Sequence, residues 1–322
     1  MKAERFFTHP LGMMGSAILA TFLWGSAFPF IKKSYKLLHI SSEETGEQLL
    51  FAGYRFMLAS VLIFLFMKLI GQRWKMKRST IIPLCKISLF QTFLQYILFY
   101  LGVGLSTGTT GSIIAGTTSF FQILFAHYMY QDEKLNLRST FGLIVGFMGV
   151  IFANLQEETF NFSMGVGEIF LLAAMMMSAL GNLLARNGAT TMNIFYLTAY
   201  QMLFGSIGLI LIGVVLVGWL PFHFDWISLL MLLYLAVVSA AGFILWNNVM
   251  KYNKVGKVSM FLFLIPVSGV CLSSIMLQEA LHIYILLALF CVTSGIMIVN
   301  RKEKEKNLKL TQKMKTDITR NA

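Results

Sequence analysis

Apolar residues occur along this chain in runs of 18 or more, separated by short polar stretches, with little of the strict alternation that marks strands. Each run is long enough to carry a helix across about 30 Å of hydrocarbon. The pattern predicts helices near residues 12–32, 48–69, 81–103, 107–129, 137–154, 165–186, 193–217, 226–249, 256–277 and 282–300. The fold class is therefore an all-α integral membrane protein of about ten transmembrane helices. The connections are short, the longest being 33–47 and 70–80, so little room exists for a soluble catalytic domain on either side and function must lie inside the bundle.

Composition agrees with burial in lipid. Residues are 57% hydrophobic and 12% charged, whereas a soluble domain carries about twice that charge. The net charge of +12 does not point to nucleic acid, because the basic residues sit in short loops and the tail. With the N-terminus inside, 21 Lys and Arg fall on the cytoplasmic side and three (Lys32, Lys33, Lys36) outside. The outer loops instead hold Glu43, Glu44, Glu47, Glu157, Glu158 and Asp225. Both termini are expected in the cytoplasm and the protein in a cell membrane. The run after Lys2 and Arg5 is long and followed by Lys32 and Lys33, which argues against a cleaved signal peptide. Cys85, Cys271 and Cys291 lie within apolar runs, without CxxC or histidine spacing, and are read as core residues.

Sliding the sequence against itself by 146 residues aligns Gly53–Ser60 with Ala199–Ser206, and also pairs Glu133 with Glu279, Gly149 with Gly295 and Asn154 with Asn300. A repeat of five helices is odd, so the second copy enters the membrane from the opposite side. The expected organisation is a cytoplasmic N-terminus at 1–11, a first five-helix repeat at 12–154, an outer linker at 155–164, a second, inverted repeat at 165–300 and a basic cytoplasmic tail at 301–322. Inverted repeats suit carriers, since equivalent halves can rock about a central site.

Five features add a family resemblance: Trp24-Gly25-Ser26-Ala27-Phe28, Tyr54-Arg55-Phe56, the stretch Ser112 to Phe121, Pro266 with the following Gln278-Glu279, and glycine-rich fifth and tenth helices. Together they resemble the EamA-type branch of the drug/metabolite transporter superfamily over about 12–300. The resemblance implies a secondary, non-ATP carrier of metabolites, amino acids or drug-like organics, in a bacterial inner membrane. Two departures stand out. Ser119 occupies the place where Pro266 sits in the second half, which puts a kink there in doubt, and Leu180-Gly181-Asn182 replaces the tryptophan motif.

Polar groups at mid-depth are costly in a bilayer and mark candidate substrate contacts. Gln91 and Gln95 share a face of the third helix. The fourth offers Thr117, Thr118, Ser119 and Gln122, the first Ser26, and the sixth Ser178 and Asn182. Interhelical hydrogen bonding is the plainer role for each of them. Trp24, Tyr96, Tyr100 and Trp246 could stack on a flat or cationic substrate, and Tyr100 and Trp246, near helix ends, could instead anchor at the interface. Arg55 could bind a substrate carboxylate or phosphate, clamp helix-end carbonyls, or pair with Glu168 near the outer surface. Lys86 lies close to the inner surface, where it would snorkel.

No Asp, Glu or His occupies a helix centre, which disfavours proton coupling through a central acid. Gly142, Gly146, Gly149 and Gly295 form small-residue faces suited to close packing, within the bundle or in a homodimer. No cofactor or metal ligand set is expected, and the partners are a small-molecule substrate and the lipid bilayer. HExxH, GxSxG and paired aspartates are missing from the helices, which argues against an enzyme. A channel or scaffold without carrier activity is the alternative reading.

Overall fold

The computed structural model describes residues 3–41, 43–131, 133–134, 137–153, 164–281, 283–291, 293–295 and 297–298. The 155–163 part of the expected linker and the 301–322 tail lie outside the described residues. After a short turn of helix at Ala3–Thr8, the elements are α1 (Pro10–Leu38), α2 (Thr45–Leu69), α3 (Arg78–Leu105), α4 (Gly108–Ala115) and α5 (Thr118–Met129). They continue as α6 (Leu137–Ala153), α7 (Val166–Gly188), α8 (Ile194–Val217), α9 (Trp226–Tyr252), α10 (Val255–Leu277) and α11 (Ile283–Gly295). Among the described residues seven helical spans are long and apolar enough to cross a membrane.

The surface agrees with that reading. Leu65, Leu211, Val215 and Leu230 turn outward, as side chains solvated by lipid do, and exposed Trp74, Trp219 and Trp226 stand by helix ends, where the indole suits a membrane interface. Cys85 and Cys271 are exposed and Cys291 half-exposed, so the cysteines are not core residues as their apolar setting suggested. An apolar residue in a lipid-facing position reads the same as one in the core. The first helix also runs further than its hydrophobic run, to Leu38, and takes in Lys32, Lys33 and Lys36.

The expected fourth helix is broken in two without a proline. Around Gly116 the backbone tightens to i→i−3 bonds, Gly116 N–H to Ile113 O at 3.1 Å and Thr117 N–H to Ile114 O at 2.9 Å. The hydroxyls of Thr117, Thr118 and Ser119 donate to the carbonyls of Ile114, Ala115 and Gly116 at 2.6, 2.8 and 2.9 Å, competing for acceptors that a regular helix needs. Within α10 the equivalent place is a 3-10 turn at Met260–Phe263, just before Pro266, whose missing N–H cannot continue the ladder.

Each broken helix is followed by a glutamate that caps the start of the other. Glu279 accepts from Gly108 and Thr109 N–H, both at 2.8 Å, and Glu133 from Val255 and Gly256 N–H at 3.1 and 3.0 Å. A carboxylate at a helix N-terminus satisfies orphan donors and meets the positive end of the macrodipole.

Close approaches elsewhere depend on glycine. A Cβ on Gly181 would lie 2.6 Å from Gln91 Cα, and one on Gly295 would lie 2.6 Å from Gly146 N. The glycines of α6 and α11 thus pack against each other within the chain. Between the neighbours carrying Gly181 and Gly205, α3 widens into a π turn at Leu89–Leu94.

Candidate functional site

Helical spacing delivers side chains from both halves to one central cavity. Trp24 and Phe28 stand one turn apart on α1, Gln95 and Phe99 on α3, and Ser178 and Asn182 on α7, so each pair shares a face. With Arg55, Tyr96, Met175 and Phe243 they line a space of about 530 Å³, including its open mouth. The remaining wall comes from residues beside the two helix breaks, Ala115 and Thr118 on one side and Leu262 and Ile265 on the other. Unwound backbone is tolerated at membrane depth where it is buried in protein or lines a cavity.

Aromatic rings make most of the wall. Trp24 lies 5.2 Å from Phe243, Phe28 5.4 Å from Phe99, and Tyr96 5.5 Å from Phe99 between centroids. Arg55, only 1% exposed, enters beside them. Its Nε donates to Leu235 O at 3.1 Å and Ser239 Oγ at 2.8 Å, and Nη1 donates to Tyr100 Oη at 3.0 Å. The guanidinium also lies 5.9 Å from the Tyr96 ring centroid. Placing an arginine at the centre of a membrane helix costs about 3 kcal/mol on insertion scales. Among the described residues the ion pair is Arg186–Glu133 at 3.3 Å, and Arg55 has no carboxylate partner. The Glu168 considered for it instead accepts from Ser106 Oγ at 2.7 Å at the start of α7. Arg55 does clamp a helix carbonyl, though in mid-helix.

Next to the cavity lies a layer of side-chain amides. Gln91 Nε2 donates to Asn182 Oδ1 at 2.8 Å, Asn182 Nδ2 to Gln122 Oε1 at 3.0 Å, and Gln122 Nε2 to Ser259 Oγ at 2.8 Å. Asn247 joins through Gln91 at 3.4 Å and donates to Thr198 Oγ1 at 3.1 Å. This chain of bonds ties α3, α5, α7, α8, α9 and α10 together.

Of the residues singled out from sequence, Trp24, Gln95, Tyr96, Thr118, Ser178, Asn182 and Arg55 line the cavity. Ser26 bonds Leu23 O and Tyr234 Oη, both at 2.7 Å, Thr117 bonds Ile114 O, and Gln91 belongs to the amide layer; all three lie outside the wall. Trp246 is fully buried behind Trp24, with ring centroids 5.5 Å apart, and is not an interface anchor. Phe28, Phe99, Met175, Phe243, Leu262 and Ile265 are wall residues that sequence reasoning passed over. Phe28 and Phe99 carry a usable signal, one turn from Trp24 and Gln95. Among the described residues two polar atoms of the wall side chains, Gln95 Oε1 and Trp24 Nε1, have no hydrogen-bond partner, and behind the wall Gln91 Oε1 and Trp246 Nε1 have none either. Among the described residues no group of His, Cys, Asp and Glu is arranged to hold a metal ion.

Comparison with known proteins agrees with the geometry. The model of the EamA-like transporter family matches residues 12–155 and again 165–301. The uncharacterized transporter YvbV of Bacillus subtilis is 25% identical, over 90% of this chain and 92% of its own length. An S-adenosylmethionine/S-adenosylhomocysteine transporter of Chlamydia trachomatis is 23% identical over 74% of this chain and 71% of its own. One crystal structure, 14% identical, covers 90% of this chain and 98% of its own with a TM-score of 0.65, a likeness of fold.

Proposed function

Because the chain belongs to the EamA-like transporter family, we propose that it exports a small organic metabolite, amino acid or drug-like molecule by alternating access through the cavity between its two broken helices. On this reading ten helices form two inverted five-helix repeats, both termini face the cytoplasm and the membrane is the plasma membrane. The observation that carries it is the position of the cavity. Its walls include residues at both helix breaks, Ala115 and Thr118 at one and Leu262 and Ile265 at the other, each pair of places 147 residues apart in the two matched segments. Discontinuous helices in corresponding positions of two repeats are how many carriers build a mid-membrane site. The Lys and Arg asymmetry between alternate loops supports the orientation.

Counterflow in proteoliposomes tests the proposal, with amino acids, nucleosides, sugars, cationic dyes, S-adenosylmethionine and S-adenosylhomocysteine as probes. The last two are included for the name of the Chlamydia relative. Saturable counterflow of one probe, weakened by Gln95→Ala, is the expected result. Flux that never saturates argues for a channel, and no flux in folded protein argues against a carrier. Net export is tested separately, by the direction of accumulation in cells that express the protein.

A further inference from the structure

Building on the carrier reading, we infer that the cavity takes an organic monoanion, with a carboxylate on the free edge of Arg55 and a flat apolar body against the aromatic walls. Arg55 is a buried cation whose three hydrogen bonds all go to neutral acceptors. Among the described residues it has no ion pair, and no Asp or Glu lines the cavity. The bonds occupy Nε and one position of Nη1. Among the described residues Nη2 makes none, which leaves the planar fork that matches a carboxylate.

One other unmet group on the wall fits the same occupant. Among the described residues Gln95, 6% exposed, has an Oε1 without a partner, whereas Trp24 Nε1 packs against Gly242. A carboxylate with a donor substituent could meet both Arg55 and Gln95, while Trp24, Phe28, Phe99 and Phe243 hold an apolar ring. A cation is the wrong occupant. Arg55 repels it in a medium of low dielectric, and the Tyr96 ring that would receive it already faces the guanidinium at 5.9 Å. A phosphate dianion brings one charge more than the lone guanidinium neutralises.

The test uses the purified full-length protein and matched sets sharing one ring system: indole-3-propionate, indole-3-propionamide and tryptamine, then 2-naphthoate, 2-naphthamide and 2-naphthylmethylamine. Binding is read as a concentration-dependent rise in Tm. The acids are expected to raise Tm, and the amides and amines at equal concentration are not. Arg55→Gln, which copies the residue found 146 positions later, is expected to weaken the acids about tenfold or more, and Arg55→Lys to weaken them less. The contrast of acid with amide in the unaltered protein needs no variant to fold. The inference is overturned if amides or amines stabilise as well as acids, or if no acid stabilises folded protein. Counterflow separates this inference from the carrier reading. Saturable exchange of neutral or cationic probes alone keeps the carrier and removes the anion site, whereas acids that bind but never exchange keep the site and remove the carrier.

Discussion

Arg55 and Gln201 stand 146 residues apart, each on the second helix of a segment matched by the family model, and their surroundings differ. Arg55 on α2 finds Leu235 O, Ser239 and Tyr100, and the α9 it leans on is regular helix. Gln201 on α8 is completely buried and among the described residues neither amide atom is partnered, and the stretch of α3 that lies 146 residues before Leu235–Ala240 is the π turn Leu89–Leu94. The glutamates behind the broken helices show the same mixture of likeness and difference. Both cap a helix start with two N–H bonds, yet Glu133 is also paired with Arg186 at 3.3 Å, while Glu279 feels Lys32 only at longer range. The halves share a scaffold and divide the chemistry. A charged anchor belongs to one side of the cavity, and the firmer lock belongs to one end of the bundle.

The largest expected effect breaks the likeness of the two locks. Glu133→Gln takes the carboxylate from the Arg186 guanidinium, 20% exposed and left with the carbonyls of Met250 and Asn253, and weakens both cap bonds, which should cost about 2 to 3 kcal/mol. Glu279→Gln loses only cap strength, about 1 to 2 kcal/mol. Denaturant unfolding in detergent compares them. Equal losses would mean that Arg186 adds nothing and that the two ends are held alike.

A smaller and opposite effect is expected at Gln201. Removing two buried, unpartnered amide atoms with Gln201→Met, close in volume, should stabilise the protein by about 1 to 2 kcal/mol. A drop in stability instead would mean that ordered water pairs the amide. The contrast with Arg55 would then be one of hydration and not of satisfaction.

How much of this was legible in the chain depends on what each feature needs. Helical spans are plain because lipid demands long apolar runs: 193–217 was expected and Ile194–Val217 is found, 226–249 was expected and Trp226–Tyr252 is found. The break at Gly116 was not, because it comes from three adjacent hydroxyls turning back on the carbonyls, with no proline to announce it. Polar wall residues such as Gln95 and Asn182 could be named from depth alone. Depth could not tell them from Gln91, which spends its amide on Asn182 and not on the cavity. Phe99, Met175 and Phe243 stayed hidden because a membrane protein puts the same residue types toward lipid and toward substrate. The reciprocal glutamate caps join residues 171 and 122 apart, and only the fold brings those together.

The smallest effect sharpens the comparison at the start of the third helix in each segment. In the first, α3 begins as a 3-10 turn at Arg78–Thr80 with no side-chain cap. In the second, Asp225 Oδ1 accepts from Ser228 N–H at 2.7 Å at the start of α9. The bonds from Ser228 hold the Asp225 carboxyl below the usual carboxylate range. A carboxyl whose folded value is depressed stabilises fully above its unfolded value, and that contribution is lost as pH falls through the folded one. Asparagine caps as well as aspartate but does not titrate. Asp225→Asn should therefore leave Tm nearly unchanged at neutral pH and, on acidification to about pH 3, lose less Tm than the unaltered protein. Thermal melts of both at the two pH values decide it. Parallel losses would mean that the cap on α9 contributes no more to stability than the uncapped turn on α3.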